Sequence, residues 1–180
     1  MNGAMKRIAA LPVLVVFAVF AVVAGTVATA VAESAKLLSS HGDWEAYLET
    51  EGGKKVCYIG SKPKKESGKY RKRGDTYVLI THRPAENSSN VVSISAGYTY
   101  QAASEVDVAI GDHKFRLFTD GDYAFAYDAK TDGDMVQAMV KGAQMTVKGT
   151  SNRGTVTADV YSLKGFTAAY KAIGQACGVK

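Results

Sequence analysis

The sequence predicts a mainly β fold: an antiparallel β-sandwich or barrel-like domain with one short helix and one packed C-terminal helix. Three observations predict it. Apolar and polar residues alternate in short runs over most of the stretch from Trp44 to Val160, the period of a half-buried strand. Turn-forming Gly and Asp residues separate those runs, as in Gly111-Asp112 and Asp120-Gly121-Asp122. The last segment changes to spacings of three and four, the period of an amphipathic helix.

The N-terminus comes before any fold. Lys6 and Arg7 are followed by an uncharged, mostly apolar run from Ile8 to Ala32. Ala30 and Ala32 have the small-x-small spacing that signal peptidase requires, because its cleft admits only small side chains. Residues 1–32 therefore read as a secretory signal peptide cleaved before Glu33. The competing reading is a retained membrane anchor, since the run reaches the ~20 apolar residues that span a bilayer. Both readings place residues 33–180 beyond the inner membrane, because the positive flank stays inside. The expected location is the periplasm or cell envelope, and the expected domain is a single one.

The elements follow in order. Trp44, Ala46 and Leu48 alternate with charge and predict a first strand. Val56 to Ile59 predicts a second, carrying Cys57, and Thr76 to Thr81 a continuous, central one. Val92, Ile94, Ala96 and Tyr98 alternate, as do Val106, Val108 and Ile110. Turns then lead into Lys114 to Thr119 and Tyr123 to Tyr127, and the pattern reads as a meander. A short helix follows. Asp132 or Asp134 can cap it, Met135, Val136, Met139 and Val140 share one face, and Gly142 stops it. Met145 and Val147 start another strand, Gly149 to Gly154 turns the chain, and Val156, Ala158 and Val160 return it. Ser162 is placed to cap the last helix, whose stripe is Leu163, Phe166, Tyr170, Ile173 and Cys177.

Cys57 and Cys177 are the two cysteines of the chain. An exported protein meets an oxidising compartment, so a disulfide is the default. Metal binding needs more ligands at closer spacing. Cys177 ends the apolar stripe and so faces the sheet, and the bond would pin the last helix to an early strand.

Motifs that carry chemistry are scarce. There is no Gly-x-Ser-x-Gly elbow, no His-Glu-x-x-His, no Cys-x-x-Cys and no phosphate-binding Gly-rich loop. Asp120, Asp122, Asp132 and Asp134 lack the ligand ladder of a calcium loop. His41, His82 and His113 sit near strand ends and read as exposed. No catalytic residue, metal or cofactor is predicted. Trp44 reads as a core anchor. Tyr98, Tyr100, Tyr123 and Tyr127 read as sheet residues, with a sugar-binding aromatic face as the alternative.

Charge is polarised. The whole chain has 22 Lys and Arg against 17 Asp and Glu. Nine of the basic residues crowd between Lys54 and Arg73, namely Lys54, Lys55, Lys62, Lys64, Lys65, Lys69, Arg71, Lys72 and Arg73. Glu66 is the one acid among them. Pro63, Ser67 and Gly68 make the middle of the stretch read as a loop. Such a loop can attract anionic lipid, lipopolysaccharide, an acidic glycan or an acidic protein face. The alternative is a solvated loop without a ligand. Nucleic acid is not an expected partner outside the cytoplasm.

Several motifs together resemble one family. They are Gly42-Asp43-Trp44, Val56-Cys57-Tyr58-Ile59 with Ser61-Lys62-Pro63, and Met139-Val140-Lys141-Gly142. The tail adds Gly149-Thr150-Ser151, Arg153-Gly154-Thr155 and Tyr161-Ser162-Leu163-Lys164-Gly165-Phe166-Thr167-Ala168-Ala169, ending at Cys177. They resemble the invasion-associated locus B family of Gram-negative exported proteins. The resemblance implies a β-sandwich-like domain in the periplasm or at the envelope, and it carries over no catalytic residue. The expected role is non-enzymatic binding of an envelope or host-surface component, with membrane contact through the basic loop or a retained signal. Two alternatives stand beside it: a periplasmic hydrolase-like enzyme with a loop-assembled site, and a structural or stress factor binding another envelope protein.

Overall fold

The computed structural model describes residues 35–179. The signal segment and its cleavage site lie outside the described residues. The strands are β1 (Lys36–His41), β2 (Trp44–Glu51), β3 (Lys54–Ser61), β4 (Lys65–Gly68), β5 (Tyr77–Arg83) and β6 (Ser88–Ser95). They continue with β7 (Glu105–Ile110), β8 (His113–Asp120), β9 (Tyr123–Phe125), β10 (Gln144–Thr150) and β11 (Val156–Ser162). Helix α1 (Ala129–Lys141) lies between β9 and β10, and α2 (Phe166–Cys177) follows β11.

All strands join one 11-stranded sheet in the order β1-β2-β3-β5-β6-β9-β8-β7-β10-β11-β4. Its pairings are antiparallel. The order ends on β1 and β4, so the sheet does not close into a barrel. It curls instead. Asp43 N donates to Lys164 O at 3.0 Å and Trp44 Nε1 donates to Ser162 O at 2.9 Å, which brings the β2 side against the far end of β11.

The inner face carries the alternating apolar residues. Trp44, Ile59, Ile80, Ile94, Leu117 and Met145 are all fully buried there. Each such side chain removed from water contributes about 1.5–3 kcal/mol. Met135, Val136 and Met139 of α1 and Phe166, Ala169 and Ile173 of α2 join the same core. Trp44 is the anchor: the Phe166 ring meets it edge-on at 4.9 Å. Cys57 of β3 is bonded to Cys177, which ends α2, across a separation of 120 residues with Cα atoms 6.0 Å apart.

Several boundaries differ from expectation. β1 and β4 are additional strands. Pro63, Ser67 and Gly68 predict a loop where β4 lies, and all four of its residues, Lys65-Glu66-Ser67-Gly68, are exposed. It is a strand because β11 supplies a ladder, Thr157↔Gly68 to Val160↔Lys65, and Ser67 Oγ donates to Ala158 O at 2.7 Å. α1 starts earlier than predicted, capped by Asp128, whose Oδ1 accepts from Thr131 N at 2.7 Å. Asp132 is no cap. It is buried, and its Oδ1 accepts the Val92 N–H at 2.9 Å. The short β9 reaches only Ser93 to Ser95 of β6, so the carboxylate takes the next amide. α2 is capped by Gly165, not Ser162. Gly165 has φ +93, and a Cβ there would collide with the His41 carbonyl. Left-handed backbone and close approach both require glycine.

His82 is also unlike its expectation. It is fully buried on β5, its Nδ1 accepts from Asn90 N at 3.1 Å, and the Tyr170 ring stands edge-on at 5.6 Å. Burial holds its pKa below the ordinary 6.5, although a backbone bond to Thr81 works the other way.

Two outcomes follow. Replacing both cysteines, Cys57→Ala with Cys177→Ala, should cost about 2–5 kcal/mol by urea denaturation, because the freed unfolded chain regains the entropy of a long loop. A cost near zero would mean that packing alone holds α2. For His82, the folded pKa lies below the unfolded one, so stability should fall as pH drops through about 6.5, by at most ~1.4 kcal/mol per unit. Asp132 works oppositely: burial, partly offset by the Val92 amide, raises its pKa, so lowering the pH relieves it. His82→Asn should therefore flatten the fall between pH 7 and pH 5 relative to the parent chain, and an unchanged slope would refute the assignment.

Candidate functional site

The basic segment divides into parts with different fates. Lys62 and Lys64 are paired, to Asp75 Oδ1 at 3.4 Å and Asp43 Oδ1 at 2.6 Å. The Lys64 hydrogen bond holds the Asp43 carboxyl below its ordinary 3.8. Lys54 and Lys55 open β3, and Lys65 opens β4. Lys69, Arg71 and Lys72 stand exposed on the loop between β4 and β5.

Arg73 is the opposite case. Its side chain is only 3% exposed and faces Asp159 of β11, 4% exposed. Nη1 and Nη2 donate to the two Asp159 oxygens at 2.6 and 2.5 Å, and Nε donates to Ala96 O at 2.6 Å. The guanidinium lies over the rings of Tyr70 and Tyr98, 5.5 and 5.1 Å from their centroids. Burial works against its charge, but the hydrogen bonds and charge of Asp159 outweigh that, and its pKa is raised. Arg73 is thus a tether and not part of the free basic surface. Beside it, Gly74 N donates to Gly97 O at 2.8 Å, and a Cβ on Gly97 would strike the Gly74 carbonyl. The loop is held at its base, and its remaining cations point outward.

Opposite that loop stands the β10–β11 turn. Ser151 Oγ accepts from Arg153 N at 3.3 Å and Thr155 N at 3.1 Å, and Asn152 N donates to Thr99 O at 2.8 Å. Arg153 is exposed at its tip. Between the two lies a cleft of about 700 Å³, with Tyr98, Thr99 and Thr157 among its lining. The Tyr98 and Thr157 hydroxyls are hydrogen-bonded at 2.7 Å. Among the described residues no acidic side chain lines the cleft. Among the described residues, the ion pairs involve none of Lys69, Arg71, Lys72 and Arg153. Four uncompensated cations therefore share one concave surface.

Sequence reasoning located Lys69, Arg71 and Lys72 but missed Arg153, which lies in a turn far along the chain. The tyrosines it grouped are scattered. Tyr98 lines the cleft, Tyr100 is buried, Tyr123 shares a 2.6 Å bond with Tyr77, and Tyr127 donates to Glu105 at 3.0 Å. The Tyr77 bond pushes the Tyr123 pKa up to about 12. Among the described residues no group of three His, Cys, Asp or Glu side chains gathers at metal-binding distance.

An open antiparallel sheet with a disulfide-fastened C-terminal helix and a cationic cleft defines the class of domain. The chain belongs to the invasion-associated locus B family, whose model, described as Invasion associated locus B (IalB) protein, matches residues 44–174. The fold is similar to the crystal structure of invasion associated protein B from Bartonella henselae, with a TM-score of 0.52 and 16% identity. That match covers 77% of this chain and 95% of the other. No curated protein sequence matches the chain.

The buried pair makes a stability prediction. Arg73→Leu leaves the Asp159 carboxylate buried and unpaired, and should cost about 3–5 kcal/mol in urea denaturation. Adding Asp159→Leu should restore much of the loss, because the uncompensated charge is then gone. If the double variant is no better than the single, Arg73 acts through its other contacts.

Proposed function

We propose that this chain is an exported, non-enzymatic binding protein of the periplasm or cell envelope, which holds an anionic envelope or host-surface component in the cationic cleft. The observation that carries the reading is the convergence of Lys69, Arg71, Lys72 and Arg153 without an acidic partner. Cations held together repel one another, and a bound anion relieves that repulsion while gaining several charge-assisted contacts. Family membership supports an envelope role. The signal-like segment of residues 1–32 and the Cys57–Cys177 bond support export, since disulfides persist in oxidising compartments.

The lining supports binding over catalysis. Ser151 Oγ is committed to accepting two backbone amides. Among the described residues no imidazole or carboxylate, the side chains that most often act as general bases, lines the cleft. His82, which could have served, is buried under Tyr170.

Salt provides the test. Protein produced from the full chain should bind anionic envelope fragments at about 0.1 M salt and release them toward about 1 M, as the screening length shrinks from ~10 to ~3 Å. The triple change Lys69→Gln, Arg71→Gln and Lys72→Gln should weaken binding roughly tenfold or more and flatten the salt dependence, taking ~0.5–1 kcal/mol per exposed contact. Unaltered binding by that variant would refute the cleft as the site.

A further inference from the structure

We infer that the occupant of the cleft is an acidic saccharide, a short glycan bearing at least two carboxylate or phosphate groups. This rests on the anion-binding reading above and narrows it. The cations occupy two facing walls, Lys69, Arg71 and Lys72 on the β4–β5 loop and Arg153 on the β10–β11 turn. Engaging both walls takes a ligand with separated charges, and a cleft of about 700 Å³ is far larger than one inorganic anion. It falls within the ~300–1,000 Å³ typical of sites for small organic ligands.

What lies between the walls is hydroxyl and amide. Thr99, Asn152 and Thr155 line the cleft, beside the Tyr70 and Tyr98 rings, and among the described residues no aliphatic side chain does. Such a surface matches the alternating donors and acceptors of sugar hydroxyls. Tyr70 also lines the cleft and is 36% exposed, with the Arg73 guanidinium against its ring and its hydroxyl donating to Glu66 at 3.3 Å, so a sugar would meet the exposed part of the ring. A bilayer is a poorer match, because lipid-surface contacts combine a basic face with apolar side chains that enter the acyl boundary. Both walls are held in place before any ligand arrives, one by the Arg73–Asp159 pair and the other by the Ser151 turn. Little ordering is then needed on binding.

Calorimetry on the full chain with its disulfide intact tests this, using three probes: a hexamer of galacturonate, hexaglutamate, and phosphatidylglycerol vesicles. The saccharide should bind at least ~10-fold more tightly than hexaglutamate, and vesicles should not displace it. Arg153→Gln should weaken the saccharide about fivefold with an unchanged melting temperature, whereas Lys171→Gln, the same charge loss on α2, should do nothing. Tyr70→Ala should weaken the saccharide and leave hexaglutamate alone. If hexaglutamate binds as tightly, or vesicles compete, the saccharide inference falls while anion binding survives. If no probe binds, both fall. If Arg153→Gln changes nothing, the two-walled site is wrong.

Discussion

An open sheet with eleven strands has one inner face to bury and two ends to bring together, and α2 meets both needs. Phe166, Ala169 and Ile173 cover the early strands, with Trp44 packed edge-on to Phe166. Trp44 also donates its indole N–H to Ser162, just before α2, so one side chain joins β2 to the end of β11. The disulfide from Cys57 to Cys177 fastens the same helix at its other end. Hydrophobic burial supplies most of the energy here, and the covalent link limits the unfolded ensemble.

A second constraint sits at the far margin of the sheet. β4 is too short and polar to persist alone, with all four residues exposed. It stays because β11 offers a ladder and because Arg73, a few residues on, is buried against Asp159. That pair has desolvation costs, which the bidentate geometry, the Ala96 carbonyl and two flanking tyrosine rings offset. The pair gives the loop a definite place, more than it adds to total stability. Lys69, Arg71 and Lys72 inherit their position from it.

The cleft depends on the same architecture. The chain from β4 to β5 forms one wall and the β10–β11 turn the other. The ladder between β4 and β11 brings these distant segments side by side. A cationic cleft assembled this way needs no local motif, because its charges come from segments far apart in the chain.

The Cys57–Cys177 bond is legible from two cysteines in a chain that reads as exported, while alternating apolar positions and a stripe spaced by three and four suffice for the mainly β class, most strands and the closing helix. Class, strands and helix depend on local periodicity, which burial of one face imposes directly on sequence. The caps were misread because several Asp residues near α1 are chemically alike, and only packing decides that Asp128 caps while Asp132 reaches Val92. The sequence likewise showed nine cations of equal standing between Lys54 and Arg73. Which of them are neutralised depends on acids brought near by folding: Asp43 for Lys64, Asp75 for Lys62, and for Arg73 the carboxylate of Asp159, 86 positions away. The arrival of Arg153 opposite the survivors is equally a matter of strand pairing. Periodicity is written along the chain, whereas charge compensation is set by distances through space, and those exist only once the sheet has formed.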